Sequence, residues 1–247
     1  MHSHASSERG TPFDLPSLAR ALTAADPRFV VWKGGDDLTA QGDLDGAAPR
    51  GAWAGLREAF GAWARDQGLT SAVVCTDALG MLILVGLGGE AGERLLQVDL
   101  VDDKLVHAVP AWSADDLIRC ATLDDGVRRT TPGAEGLARV LAHRRDALGA
   151  RLVTEDPEGA RALADRLGLY GPLALHASAV RRTGLELLLA ARAVAAPRRF
   201  VGALAFDRAR RACPVLPALA AGRALPEPLD TWLSRVARAN HEVTSLA

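Results

Sequence analysis

No excess of either charge, no long apolar run and no cysteine pattern mark this chain, and each absence removes a class of protein. Its 29 Lys and Arg are met by 30 Asp and Glu, for a formal net charge of −1 over 247 residues. A nucleic-acid binder carries a basic excess or stripe, so general affinity for DNA or RNA is not expected. The longest apolar stretches fall well short of the roughly 20 residues that cross a bilayer, so no membrane span is expected either. Met1 to Gly10 is polar and has no apolar h-region, which predicts a loose tail, no signal peptide and a cytoplasmic protein. The three cysteines, Cys75, Cys120 and Cys213, are odd in number and widely spaced, and fit neither a zinc pattern nor a disulfide framework. There is no Gly-x-Ser-x-Gly, no Cys-x-x-Cys, no complete P-loop, no internal repeat and no low-complexity linker. What remains, 49% apolar and 24% charged, is an ordinary globular composition, long enough for one large domain or two small ones.

Hydrophobic spacing predicts a helix over Leu15 to Ala24 and a buried strand over Phe29-Val30-Val31-Trp32, stopped by Gly34-Gly35. Trp53, Leu56, Phe60 and Trp63 recur at steps of three and four, giving a helix from Ala52 to Asp66 that Gly68 ends. Ala72 to Cys75, Met81 to Val85 and Leu95 to Val101 read as strands, and Leu105 to Val109 is expected to pair back on the last of them through Asp102-Asp103. Ser113 with Asp116 three positions on resembles a capping box. Beyond Thr130 the strand signal stops. Thr131-Pro132 predicts a helix to Leu148, Asp156-Pro157 a helix to Gly168, and the chain is expected to end in a helix over Leu229 to Val243. Mixed elements followed by helices alone predict an α+β fold: a tail and helix over 1–25, an α+β domain over 26–130 and a helical domain over 131–247.

Chemistry concentrates after the first strand. Gly34-Gly35 allow a ligand to approach the backbone at unusual φ and ψ, and free N–H groups of a following helix turn would suit phosphate. In Asp43-Leu44-Asp45 the two carboxylates project from one face of an extended chain, with Leu44 on the other. In Leu95-Leu96-Gln97-Val98-Asp99-Leu100-Val101, Gln97 and Asp99 share a face opposite Leu96, Val98 and Leu100. An aspartate in such a strand is costly to bury unless it is paired or bound to metal. Three converging carboxylates would suit Mg²⁺ and, with two ions, the activation of a hydroxyl and the neutralisation of a triphosphate. A solvated acidic loop remains the other reading of Asp43 and Asp45, and a paired structural carboxylate the other reading of Asp99. Lys33, one of only two lysines, is placed either to meet a phosphate or as an exposed charge at the strand end.

The ordered Gly-Gly, Asp-x-Asp and strand-Asp series resembles the nucleotidyltransferase superfamily, the DNA polymerase β-like fold, near its small-molecule and antibiotic-modifying members. The resemblance covers roughly Asp26 to Ala150. It implies a Mg²⁺-dependent enzyme that moves a nucleoside monophosphate from an NTP to a small-molecule acceptor. Asp43, Asp45 and Asp99 would form the catalytic metal site, and Gly34, Gly35 and Lys33 would hold the nucleotide. Arg144, with Arg139 and Arg145 on the helix after Pro132, would help to bind substrate. Three departures frame a second expectation. A second glycine stands where the family commonly has Ser, only seven residues separate Gly35 from Asp43, and Asp36 and Asp37 flank the phosphate cradle. They fit a protein that kept the fold and became a binding or regulatory module, or was repurposed in specialised metabolism. The segment Gly86-Leu87-Gly88-Gly89-Glu90-Ala91 matches a dinucleotide fingerprint, but a strand follows too soon for a crossover helix, so a hairpin is expected there.

Overall fold

Leu15, Leu18, Ala19 and Leu22 line one buried side of α1 (Leu15–Ala25), whose first turn is capped by Asp14 accepting from the Ser17 N–H at 3.0 Å. The computed structural model describes residues 13–34, 43–78, 80–89, 94–106, 109–143, 147–169 and 242–246. The elements that follow are β1 (Val30–Lys33), β2 (Asp43–Ala47), a 3-10 turn at Arg50–Ala52 and α2 (Trp53–Asp66). Next come β3 (Ser71–Ala78), β4 (Met81–Gly88), β5 (Arg94–Val101), β6 (Asp103–Val106), β7 (Val109–Ser113) and α3 (Ala114–Ile118). A hairpin of β8 (Ala121–Asp124) and β9 (Val127–Thr130) leads to α4 (Pro132–His143), α5 (Ala147–Glu155) and α6 (Pro157–Arg166), and β10 (Glu242–Ser245) is the last element. No helix among the described residues is long and apolar enough to cross a membrane.

The chain is α+β. Among the described residues one eight-stranded mixed sheet runs β10-β3-β4-β5-β2-β1-β9-β8, parallel at β2–β5 and β1–β9 and antiparallel elsewhere. Period-two alternation divides its core between the two faces. Leu44, Leu96, Val98 and Leu100 turn toward Leu18, Leu22, Leu56 and Phe60 of α1 and α2. Val30, Trp32, Ala47 and Val101 turn the other way, toward Trp112, Leu117, Leu137 and Leu163 of β7, α3, α4 and α6. The helices after Thr130 that are described therefore share a core with the sheet. Residues 170–241 of the expected helical domain lie outside the described residues.

Several expectations are corrected. Leu105 to Val109 does not pair back on β5: β6 leaves the sheet at Asp102 and pairs with β7, Lys104 opposite Trp112. The exit is fixed by the backbone, where the Asp102 N–H donates to Gly80 O at 2.7 Å and the Ala114 N–H to Asp102 O at 2.6 Å. The single helix expected to Leu148 is two, because α5 packs back on α4 where Gly136 and Gly149 meet; a Cβ on Gly136 would stand 2.7 Å from Gly149 O. Strand structure also returns after Thr130. Glu242 and Val243, expected to end a helix, begin β10, which pairs antiparallel with β3 while Leu246 is buried beside it. That edge pairing is a long-range contact, which the reading of a helix over Leu229 to Val243 did not contain.

β2 is a full strand although it runs into Gly46-Ala47-Ala48. The reason is packing: a Cβ on Gly46 would collide with the Phe29 ring and lie 3.1 Å from Leu100 Cδ2. Gly46→Ala is expected to cost about 1–3 kcal/mol through overpacking. Denaturant unfolding checks it, and an unchanged midpoint would mean that Phe29 yields freely.

Candidate metal centre

β2 and β5 lie side by side and parallel, with Asp43 opposite Gln97 and Asp45 opposite Asp99. Since Leu44 and Val98 belong to the α1–α2 side, Asp43, Asp45, Gln97 and Asp99 share the other face. One carboxylate oxygen from each of Asp43, Asp45 and Asp99 lies within 4.8 Å of the others. The three predicted aspartates therefore come together.

Lys33 reaches the same face through an irregularity in β1. Val31 pairs with Gly46 and Lys33 with Asp45, so Trp32 is an extra residue between them. Such a bulge re-aims the side chain that follows it. Lys33 Nζ then lies 2.7 Å from Asp45 Oδ2, and Asp45 is almost wholly buried. Gln97 Nε2 donates to Asp99 Oδ1 at 2.8 Å.

Burial is the main cause that raises the Asp99 carboxyl to about 7; Asp45 and Asp43 push it further, while Gln97 and Lys33 oppose them. Asp43 is raised for the same first reason, then by Asp45, against Lys33. A bound cation would relieve both.

The donor set fits a hard divalent ion, because every donor is a carboxylate oxygen. Carboxylate oxygens within 4.8 Å of one another are close enough for a single such ion to be reached by all three.

Gly34 has φ 118°, a conformation that favours glycine, and its N–H donates to Glu135 Oε1 of α4 at 3.1 Å. Glu135 also accepts from Arg139 Nε at 2.8 Å, and both side chains are buried. Arg139 is thus turned inward, onto the residue that anchors the end of β1. Gly35 and Arg144 lie outside the described residues.

Sequence reasoning missed Glu135 and Lys104. Lys104 on β6 lies within the electrostatic reach of Asp45, Asp99 and Lys33, and burial is the main cause that lowers its pKa. Its signal was scarcity: the chain has 27 arginines and two lysines, and both lysines stand at this cluster. Glu135 left no comparable trace, since an acid in the first turn of a helix is common and serves the helix dipole. Comparison with family models, curated proteins and solved structures gave no match for this chain.

Proposed function

We propose that this is a Mg²⁺-dependent nucleotidyltransferase that moves a nucleoside monophosphate from an NTP to a small-molecule acceptor. The observation that carries the reading is the convergence of Asp43, Asp45 and Asp99 on one sheet face beside Lys33 and Gly34. Asp43, Asp45 and Asp99 would hold the metal. Bound there, Mg²⁺ would neutralise the triphosphate and make an acceptor hydroxyl easier to deprotonate. Lys33, partly exposed beside Asp45, is a point charge suited to a phosphate oxygen. Asp99 would either complete the metal site or, left off the metal, take the acceptor proton. The remainder of catalysis would be positioning and charge neutralisation.

One observation favours a second reading, a binding or regulatory module without turnover. Lys33 already answers the charge of Asp45, and Glu135 already occupies the Gly34 N–H. Calorimetry of the four NTPs with and without Mg²⁺ separates the two. The transferase reading expects Mg²⁺-dependent binding that Asp43→Asn weakens at least about tenfold, the loss of one charged ligand contact. Binding indifferent to both Mg²⁺ and Asp43 would sink it.

A further inference from the structure

Lys104 has no task in the scheme above, yet the fold delivers it to the same place as Lys33. Across the hairpin its partner is Trp112, so the two side chains share a face of that ribbon. Trp112 is buried against Trp32, ring centroids 4.9 Å apart, and Trp32 is the bulge residue beside Lys33. The Trp32–Trp112 contact therefore brings one lysine up from the main sheet and lowers the other onto it from the hairpin. Asp45 and Asp99 favour the charged form of Lys104, while burial and Lys33 disfavour it.

Lys104 is half-buried and makes no hydrogen bond or ion pair among the described residues. Burial outweighs the attraction of Asp45 and Asp99 for that ammonium, and an anion that reached it directly would offset the remaining cost. The charge of the site points the same way. Three carboxylates and one divalent cation leave a net negative centre, and Lys33 brings it only to neutrality. Lys104 gives it the positive sign that a phosphate chain requires. A lysine ammonium is compact and has three donors, which suits phosphate oxygens better than a hydrophobic contact.

We propose that Lys104 is a phosphate-binding residue of this centre, holding the bound nucleotide from the hairpin side while Lys33 holds it from the sheet side. The proposal rests on the metal-site reading above. Calorimetry with Mn²⁺ alone, and with inorganic triphosphate or ATP in the presence of Mn²⁺, tests it in the full chain. Lys104→Met is expected to leave Mn²⁺ binding intact or tighter, because a cation has been removed from beside the carboxylates. The same variant should bind inorganic triphosphate at least about tenfold more weakly, and ATP likewise. Lys104→Arg, which keeps the charge, should retain most of that affinity. The thermal midpoint of Lys104→Met should not fall, since burial weighs against the Lys104 charge more than Asp45 and Asp99 favour it.

Opposite signs for Mn²⁺ and triphosphate distinguish anion binding from a structural role, which would weaken both together. Parallel loss of both, or unchanged triphosphate affinity, overturns the proposal while leaving the metal centre standing. Loss of ATP but not of inorganic triphosphate would assign Lys104 to the nucleoside and overturns it as well. A wild-type chain that binds no Mn²⁺ at all removes the metal-site reading, and this inference falls with it.

Discussion

Asp99→Asn is expected to make the metal-free protein more stable above pH 7 and, in the same molecule, to abolish its response to divalent cations. Folding raises the Asp99 carboxyl from an ordinary 3.8 to about 7, chiefly by burial. The folded state therefore holds this proton more tightly than the unfolded chain. That contribution to stability is fully present below about pH 4 and is lost as pH rises through about 7. At pH 8 the folded chain carries a buried charge that the unfolded chain keeps in water. Near 1.4 kcal/mol per unit, and discounted for partial exposure, the difference is roughly 2–4 kcal/mol. Asparagine keeps the shape and can still meet Gln97, but it has no charge to bury. In EDTA, wild-type stability should fall between pH 5 and pH 8 as Asp99 loses its proton. The variant should lose most of that slope and unfold later than wild type at pH 8. With Mn²⁺ or Mg²⁺ the ranking should reverse, since a cation that binds only the folded state stabilises by mass action and needs Asp99 as a ligand. Unfolding at both pH values, with and without cation, reads all of this. A variant that responds to the cation as wild type does would remove Asp99 from the metal set.

The aspartate constellation was legible because it depends on strand alternation, and alternation is a local property. Leu44 between Asp43 and Asp45, and Val98 between Gln97 and Asp99, dictate which side chains share a face once the segments are extended. That the two segments lie adjacent and parallel, with Asp45 opposite Asp99, is a long-range pairing that no window of sequence contains. Lys33 shows a different limit. Simple alternation would send it to the side of Val31; the bulge at Trp32 turns it onto Asp45. Glu135 and Lys104 arrive through tertiary packing alone, by α4 meeting the end of β1 and by β6 leaving the sheet at Asp102. The misread elements fail for related reasons. β6 has the composition of a strand but not the partner that proximity suggests, and β10 is short and defined mainly by the β3 edge that receives it. Helix starts were read well where a cap marked them: Ser113 and Asp116 form the full reciprocal box, and Asp156 caps α6 through the Gly159 N–H at 2.9 Å.

Removing both members of the Glu135–Arg139 pair is expected to be gentler on stability than removing Glu135 alone, yet no gentler on nucleotide binding. Glu135→Leu takes a buried carboxylate from Arg139 and an acceptor from the Gly34 N–H at once. Breaking a buried pair from one side typically costs about 3–5 kcal/mol, whereas replacing both partners by apolar groups is often neutral. The double variant Glu135→Leu with Arg139→Met should therefore recover most of the stability lost in the single variant, as urea unfolding would report. Nucleotide binding should not recover with it. Gly34 sits at φ 118°, next to Lys33, and its orientation is fixed across to α4 by Glu135. Without that acceptor the end of β1 has a set of conformations instead of one, and a phosphate must then order it on binding, at a cost of about 1–2 kcal/mol per residue fixed. Calorimetry with Mg²⁺ and an NTP should show the double variant binding at least about tenfold more weakly than wild type. Recovery of both stability and binding would reduce Glu135 to a core residue. Recovery of neither would mean that the cost lies outside the ion pair, in how Leu and Met pack between α4 and the sheet. Recovery of stability without binding is the outcome that makes Glu135 a positioning residue, linking α4 to the end of β1 that the proposed function assigns to the nucleotide.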